Sequence, residues 1–276
     1  NGTSTGLNVS GVGTIATLNV TGNATIAGVL TYEDVTNVDS VGVVTARGLS
    51  IFGNTTGLNV ASGISTFQAI TGTTGTFSAD STINGVTVGK GANSVSHNTA
   101  VGSNALDAAT TGNFNTAYGS EALGANTTGQ GNVAVGYQTL DANTTTSFNT
   151  AIGHQSLTAN TQSNCTAVGA YSLMSNTTGD YNTATGYGAL EQNTTGANNT
   201  AIGHFALEDS TTASNNTAVG YLALTSNTTG ASNVAVGANA KVTNTTGSYN
   251  TTVGYYADGA DTDGDYVTAI GYHALR

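Results

Sequence analysis

Asn98-Thr99-Ala100-Val101-Gly102 decides the fold, because it comes back ten more times. Its closing glycine recurs at 119, 136, 153, 169, 186, 203, 220, 237, 254 and 271, always 17 residues on except for one step of 16, between Gly153 and Gly169. Counting each glycine as one coil gives eleven coils. Ala stands two residues before the glycine in all but the tenth coil, where Thr252 replaces it. Asn stands four before it, with Cys165 and Val267 as exceptions, and Leu four after it, with Lys241 and Asp258 as exceptions. A fixed period of this length marks a repeat architecture in which each unit buries its apolar face against the next.

A short strand puts alternate side chains on opposite faces. In Asn-Thr-Ala-Val-Gly, Ala and Gly share one face, as at Ala134 and Gly136, while Thr150 and Ile152 exemplify the other. Neither face carries a charge in any coil, which is the mark of a strand covered on both sides. One face must line the coil interior and the other needs a second surface, which a neighbouring subunit would supply. The Ala/Gly face or the aliphatic face is therefore expected to lie between chains. The Leu four residues on, such as Leu140, is expected to plug the interior. The Asn-Thr-Thr-Gly segment is expected to turn the chain through left-handed Asn and Gly conformations, with its stacked Asn side chains forming ladders. A coil this short cannot hold a βαβ unit, and no 3.6-residue periodicity appears, so a helical solenoid is excluded. The array from 85 to 276 is predicted to be an all-β parallel solenoid.

Residues 1–84 follow another pattern, with short alternating segments between glycines and a loose duplication. Thr5-Gly6-Leu7-Asn8-Val9 returns as Thr56-Gly57-Leu58-Asn59-Val60. These strands are too short and polar to form a core alone, and are read as an interwoven β-stalk built by three chains. Val86-Thr87-Val88-Gly89 reads as an irregular starting coil at the boundary.

Composition narrows the function. Charged residues make up 7% of the 276, against roughly 25% in an ordinary domain, and there is no Pro; disordered chains are rich in both charge and Pro, so order is expected. The net charge is −11, with Arg47, Lys90, Lys241 and Arg276 the only cations. Such a surface repels phosphate backbones and anionic lipid, so neither nucleic acid nor a membrane surface is expected as a partner. No apolar run reaches the roughly 18 residues of a membrane span. The lone Cys165 can form no intrachain disulfide and is read as a small buried side chain. No nucleophile elbow, metal-ligand cluster or phosphate-binding glycine loop is visible, so no enzyme is expected.

Two features are candidate sites. The residue after the repeat glycine is aromatic or His at Tyr137, His154, Tyr187, His204, Tyr221, Tyr255 and Tyr272. At solenoid spacing these form a stripe that either stacks sugars of a host glycan or packs as a ladder between coils. In Asp261-Thr262-Asp263-Gly264-Asp265, Asp261, Asp263 and Asp265 alternate beside a glycine as calcium ligands do. The distal bidentate Glu is missing, so a solvated acidic turn is the competing reading.

The array, beginning with Val86-Thr87-Val88-Gly89-Lys90-Gly91-Ala92 and Asn98-Thr99-Ala100-Val101-Gly102, resembles the head repeats of trimeric autotransporter adhesins. That resemblance implies a left-handed parallel β-roll with three chains about one axis, although the 17-residue period is longer than is usual there. Tyr32 to Arg47 resembles segments of tail-fibre and appendage proteins of marine cyanophages, which are also trimers. The expectation is a homotrimeric structural fibre, part of a virion or extracellular, that spaces or presents a host-binding surface and packs on other fibre or virion proteins. A bacterial surface adhesin of the same architecture is the alternative. An ice-binding solenoid is a third reading, resting on the Thr pairs. Because the last coil, ending Ala274-Leu275-Arg276, has no polar cap, the chain is also expected to be a segment of a longer fibre.

Overall fold

The computed structural model describes residues 80–83 and 86–275, and the expected stalk lies almost wholly outside them. Two strands open the fold, β1 (Ser81–Ile83) and β2 (Val86–Gly89), followed by one 3₁₀ turn at Ala92–Ser94. Each coil then contributes one three-residue strand. These are β3 (Thr99–Val101), β4 (Thr116–Tyr118), β5 (Val133–Val135), β6 (Thr150–Ile152), β7 (Thr166–Val168) and β8 (Thr183–Thr185). The series continues with β9 (Thr200–Ile202), β10 (Thr217–Val219), β11 (Val234–Val236), β12 (Thr251–Val253) and β13 (Thr268–Ile270). All lie in one sheet in chain order. From β3 to β13 every neighbour is parallel and in register, Ala over Ala except at Thr252, as in Ala117 against Ala134 and Ala134 against Ala151. The described residues from β3 onward form an all-β parallel solenoid, and no α-helix occurs among the described residues.

The start differs from the sequence expectation. Val86–Gly89 is not a coil: β2 runs antiparallel both to β1 and to β3, pairing Val88 with Val101 and Gly89 with Ala100. It covers the open hydrogen-bonding edge of β3, which an exposed parallel strand would otherwise present to other chains. The Asp80 carboxylate fixes its far end by accepting from the amides of Lys90 (2.8 Å) and Gly91 (2.9 Å).

Two apolar columns dominate the interior. Ala100, Ala117, Ala134 and their successors are fully buried, as are the leucines from Leu106 to Leu224. Each buried Leu contributes about 1.5–3 kcal/mol. The Ala face is thus spent inside the single coil, which removes it as a surface between chains. The outward face keeps its Thr and aliphatic residues, with Ile152 and Ile202 exposed.

The corners are made otherwise than expected. Asn126 and Gly129 of the Asn-Thr-Thr-Gly turn do not take left-handed angles. Those fall on other residues, three in most coils: Gln138 (φ 52°), Leu140 (φ 51°) and Phe148 (φ 61°) in one of them. Such a conformation costs an L-residue about 1–2 kcal/mol, and burial of the Leu and coil-to-coil backbone bonds offset it. Gly129 is required for a different reason: a Cβ there would lie 2.2 Å from the Thr146 carbonyl oxygen of the next coil. The repeat glycine needs both freedoms, since Gly136 has φ +135° and its Cβ would stand 2.5 Å from the Gly153 carbonyl oxygen.

The expected Asn ladders are present, in two columns. In the first, Asn115 Oδ1 accepts from the amide of Asn132 (2.9 Å), while its Nδ2 donates to the Gly129 carbonyl (2.8 Å). In the second, Asn193 Nδ2 donates to Asn176 Oδ1 (2.7 Å) and Asn244 Nδ2 to Asn227 Oδ1 (2.7 Å). The single 16-residue coil loses its residue in this turn. Asn160 Nδ2 bonds the carbonyl of Gln162, two residues on, whereas Asn143 reaches three on, to Thr146. Cys165 takes an Asn place in the first column. It is fully buried, its Sγ lies 3.4 Å from the Gly179 carbonyl oxygen, and burial pushes its thiol pKa up.

Candidate functional site

The solenoid register places the aromatic stripe on one side of the coil and turns ring upon ring. Tyr137 and His154 stack at 5.4 Å between centroids, Tyr187 and His204 at 5.3 Å, and Tyr255 and Tyr272 at 5.5 Å. Tyr221 continues the stack from His204 at 5.7 Å. The apparent gap at Ala170 is closed by the next residue, Tyr171, which meets His154 edge-on at 5.2 Å and Tyr187 at 5.5 Å. The run from Tyr137 to Tyr221 is therefore unbroken, and Ala238 separates it from the Tyr255–Tyr272 pair. The stacked rings cover one another's faces, so a ligand alongside meets ring edges, imidazole nitrogens and phenol hydroxyls. Tyr137, Tyr187, Tyr221 and Tyr255 are each about half exposed.

A second aromatic column escaped the sequence reading. Phe114, Phe148, Tyr181, Tyr249 and Tyr266 stand five residues before the repeat glycine and are all exposed. Tyr249 and Tyr266 stack at 5.2 Å with planes only 5° apart. The signal was available in the same 17-residue register, one position before the quoted motif.

Beside the first stripe runs a set of part-buried polar side chains. Gln155 Nε2 donates to Gln138 Oε1 (2.9 Å), and Gln138 Nε2 to Glu121 Oε2 (2.7 Å), a polar ladder over three coils. Burial, then the charge of Glu121, raises the pKa of Asp141. Burial, then Asp209, raises those of Glu191 and Glu208.

The acidic segment near the end is arranged by a cation. Asp261 occupies the place of an Asn in the second ladder, one coil beyond Asn244. Its Oδ2 accepts from Lys241 Nζ (3.2 Å) and its Oδ1 from the amide of Gly264 (3.1 Å). Its burial would raise the pKa, but the hydrogen bond and charge of Lys241 and the two backbone amides outweigh that and hold the carboxyl below its usual range. Asp265 Oδ1 instead accepts from the amide of Ser248 (2.7 Å), and Asp263 is exposed. The three carboxylates are not drawn to one point. Among the described residues no three His, Cys, Asp or Glu side chains are grouped as a metal ion would require.

Lys241 itself was the residue whose role the sequence left open. It and Asp258 are the two departures from the Leu column, in consecutive coils. Lys241 Nζ lies 2.6 Å from Asp258 Oδ2, with the two side chains 0% and 3% exposed. Opposite charges at one repeat position, one period apart, were the signal that could have paired them.

No protein-family model, curated protein or solved structure shows a match to this chain.

Proposed function

We propose that the chain is a non-enzymatic structural fibre protein that assembles as a homotrimer and spaces or presents a host-binding surface outside the cell. The observation that carries this reading is the outward strand face. It offers Val135, Ile152, Val168, Ile202, Val219, Val236 and Val253 in one column, which Tyr118 opens and Thr185 interrupts, beside Thr and Val in another, without a charge along the stack. Contiguous exposed apolar surface of this kind is a mark of an interaction site, and a column that repeats coil by coil is matched in length and spacing by another copy of itself. Three such faces turned inward give the arrangement of the adhesin heads that the array resembles, with a left-handed roll as in those heads.

The cyanophage-like segment Tyr32 to Arg47 favours a virion tail fibre or appendage, joined through residues 1–84 as a trimeric stalk, over a bacterial adhesin. The polar, stacked stripe from Tyr137 to Tyr221, with Gln138, Gln155 and the carboxylates beside it, is the surface available to host glycans. It would bind them through hydroxyls and ring edges. An ice-binding surface finds less support, because the Thr positions of the strand share their face with aliphatic and aromatic side chains.

The reading is tested by placing a charge on the outward face in two central coils, as Ile152→Glu with Ile202→Glu. Both side chains leave the interior untouched, so the coil should keep its circular dichroism while sedimentation shows the trimer dissociated. A double variant that sediments as wild type would contradict the proposed interface.

A further inference from the structure

We propose that Lys241 and Asp258 join in a covalent isopeptide bond, an amide between Lys241 Nζ and Asp258 Cγ, that staples the ninth coil to the tenth. Three departures from the repeat converge here: Lys for Leu at 241, Asp for Leu at 258, and Asp for Asn at 261. The first two sit in the solenoid interior with Leu224 one coil before them in the column. The amine is 2.6 Å from one carboxylate and 3.2 Å from a second, and it is fully buried. A buried ion pair is commonly no more stabilising than apolar side chains of the same volume. Eight consecutive leucines, from Leu106 to Leu224, show that the column accepts leucine readily. Stability alone therefore gives this trio no reason to be there, whereas amide formation uses each member.

The step balances without a further reactant. Lys241 passes a proton from its ammonium to the Asp258 carboxylate, which leaves an amine beside a carboxylic acid. The desolvated amine is the nucleophile. Its lone pair attacks Cγ and the N–C bond forms. Asp261 takes the second proton from the nitrogen and returns it to the departing hydroxyl. The C–O bond breaks and one water leaves. The product keeps one N–H, which donates to Asp261 at the place the ammonium held. Fixed proximity supplies the effective concentration that a bimolecular amide synthesis lacks, and exclusion of water from the interior withholds the reactant of the reverse hydrolysis.

The sequence provides a direct assay. Trypsin can cut this chain only after Arg47, Lys90 and Lys241, and it does not cut after a lysine whose amine is acylated. The full-length folded chain is denatured, weighed intact and digested. The expected result is a mass short by one water and a single peptide spanning residues 91–276, with the cut at Lys241 lost. Lys241→Arg should restore both the full mass and the cut. Asp258 precedes Gly259, so cyclisation of that backbone would also remove one water, but it would leave Lys241 cleavable. A wild-type chain cut after Lys241, whether at full mass or with its water lost at Asp258–Gly259, would overturn the proposal. So would a Lys241→Arg chain that stays one water short.

Discussion

Lys241 and Asp258 occupy consecutive leucine positions of the repeat and meet at 2.6 Å inside the solenoid. Each is the other's condition for being buried. Removing Lys241 leaves the Asp258 carboxylate unpaired in an apolar column, and removing Asp258 leaves the Lys241 ammonium only Asp261, changes of a kind that cost up to about 3–5 kcal/mol. Asp258→Leu and Lys241→Leu should each lower the stability by that order, while the double replacement by Leu should recover most of the loss relative to either single variant. Urea unfolding of the four chains closes the cycle. Additive losses would show that the two residues act separately.

The second Asn ladder is interrupted where the chain has Ser210. Asn193 Oδ1 and Ser210 Oγ are both buried without a hydrogen-bond partner. Ser210→Asn should extend the ladder from Asn193 to Asn227, giving Asn193 Oδ1 its donor, and stabilise by about 1 kcal/mol. A thermal melt checks it. A destabilised variant would mean that the short Ser side chain is needed there.

The repeat glycine combines a left-handed φ with a close approach between coils. Gly136→Ala should cost more than an ordinary core change, at least ~2 kcal/mol, because its Cβ would meet the Gly153 carbonyl and its φ of +135° is closed to L-residues. Loss of circular dichroism or a midpoint shift of that size is the expected result, and an unchanged midpoint would contradict the coil geometry.

Stability should also depend on pH. Glu191 and Glu208 have pKa values raised by burial and by neighbouring acids, and Asp141 likewise. A carboxyl raised in the folded state binds its proton more tightly there than in the unfolded chain. Stability from these groups therefore rises as pH falls from neutral through their folded pKa values, and levels off below the unfolded ones. Asp261, held low, works in the opposite sense and loses its contribution at more acid pH. Glu208→Gln should raise the midpoint at neutral pH and flatten the profile in mild acid; a profile as steep as wild type would rule out Glu208 as a contributor.

Much of this was legible in the residues, and the limits have physical causes. A 17-residue period with Ala and Leu at fixed places announces a solenoid and its interior, because each coil meets only its neighbours. The corners were misread because Leu140 and Gln138 adopt a backbone that local preference reserves for Gly and Asn, held there by burial and coil-to-coil bonds. The starting strand was misread because Val86-Thr87-Val88-Gly89 has the same alternation in either direction, and only pairing shows that it runs antiparallel. The aromatic stripe was found, but Tyr171, one residue out of register, was left out of it. Lys241 and Asp258 were seen as two exceptions and not as one pair, since each departs from the consensus separately.

In the proposed homotrimer three copies pack through the outward strand faces. The direct measurement is the native mass of the folded chain by gentle ionisation or sedimentation equilibrium. Three chains of 27.3 kDa in one particle is the predicted result. A stable, folded particle of one chain, with Ile152 and Ile202 left in solvent, would contradict it.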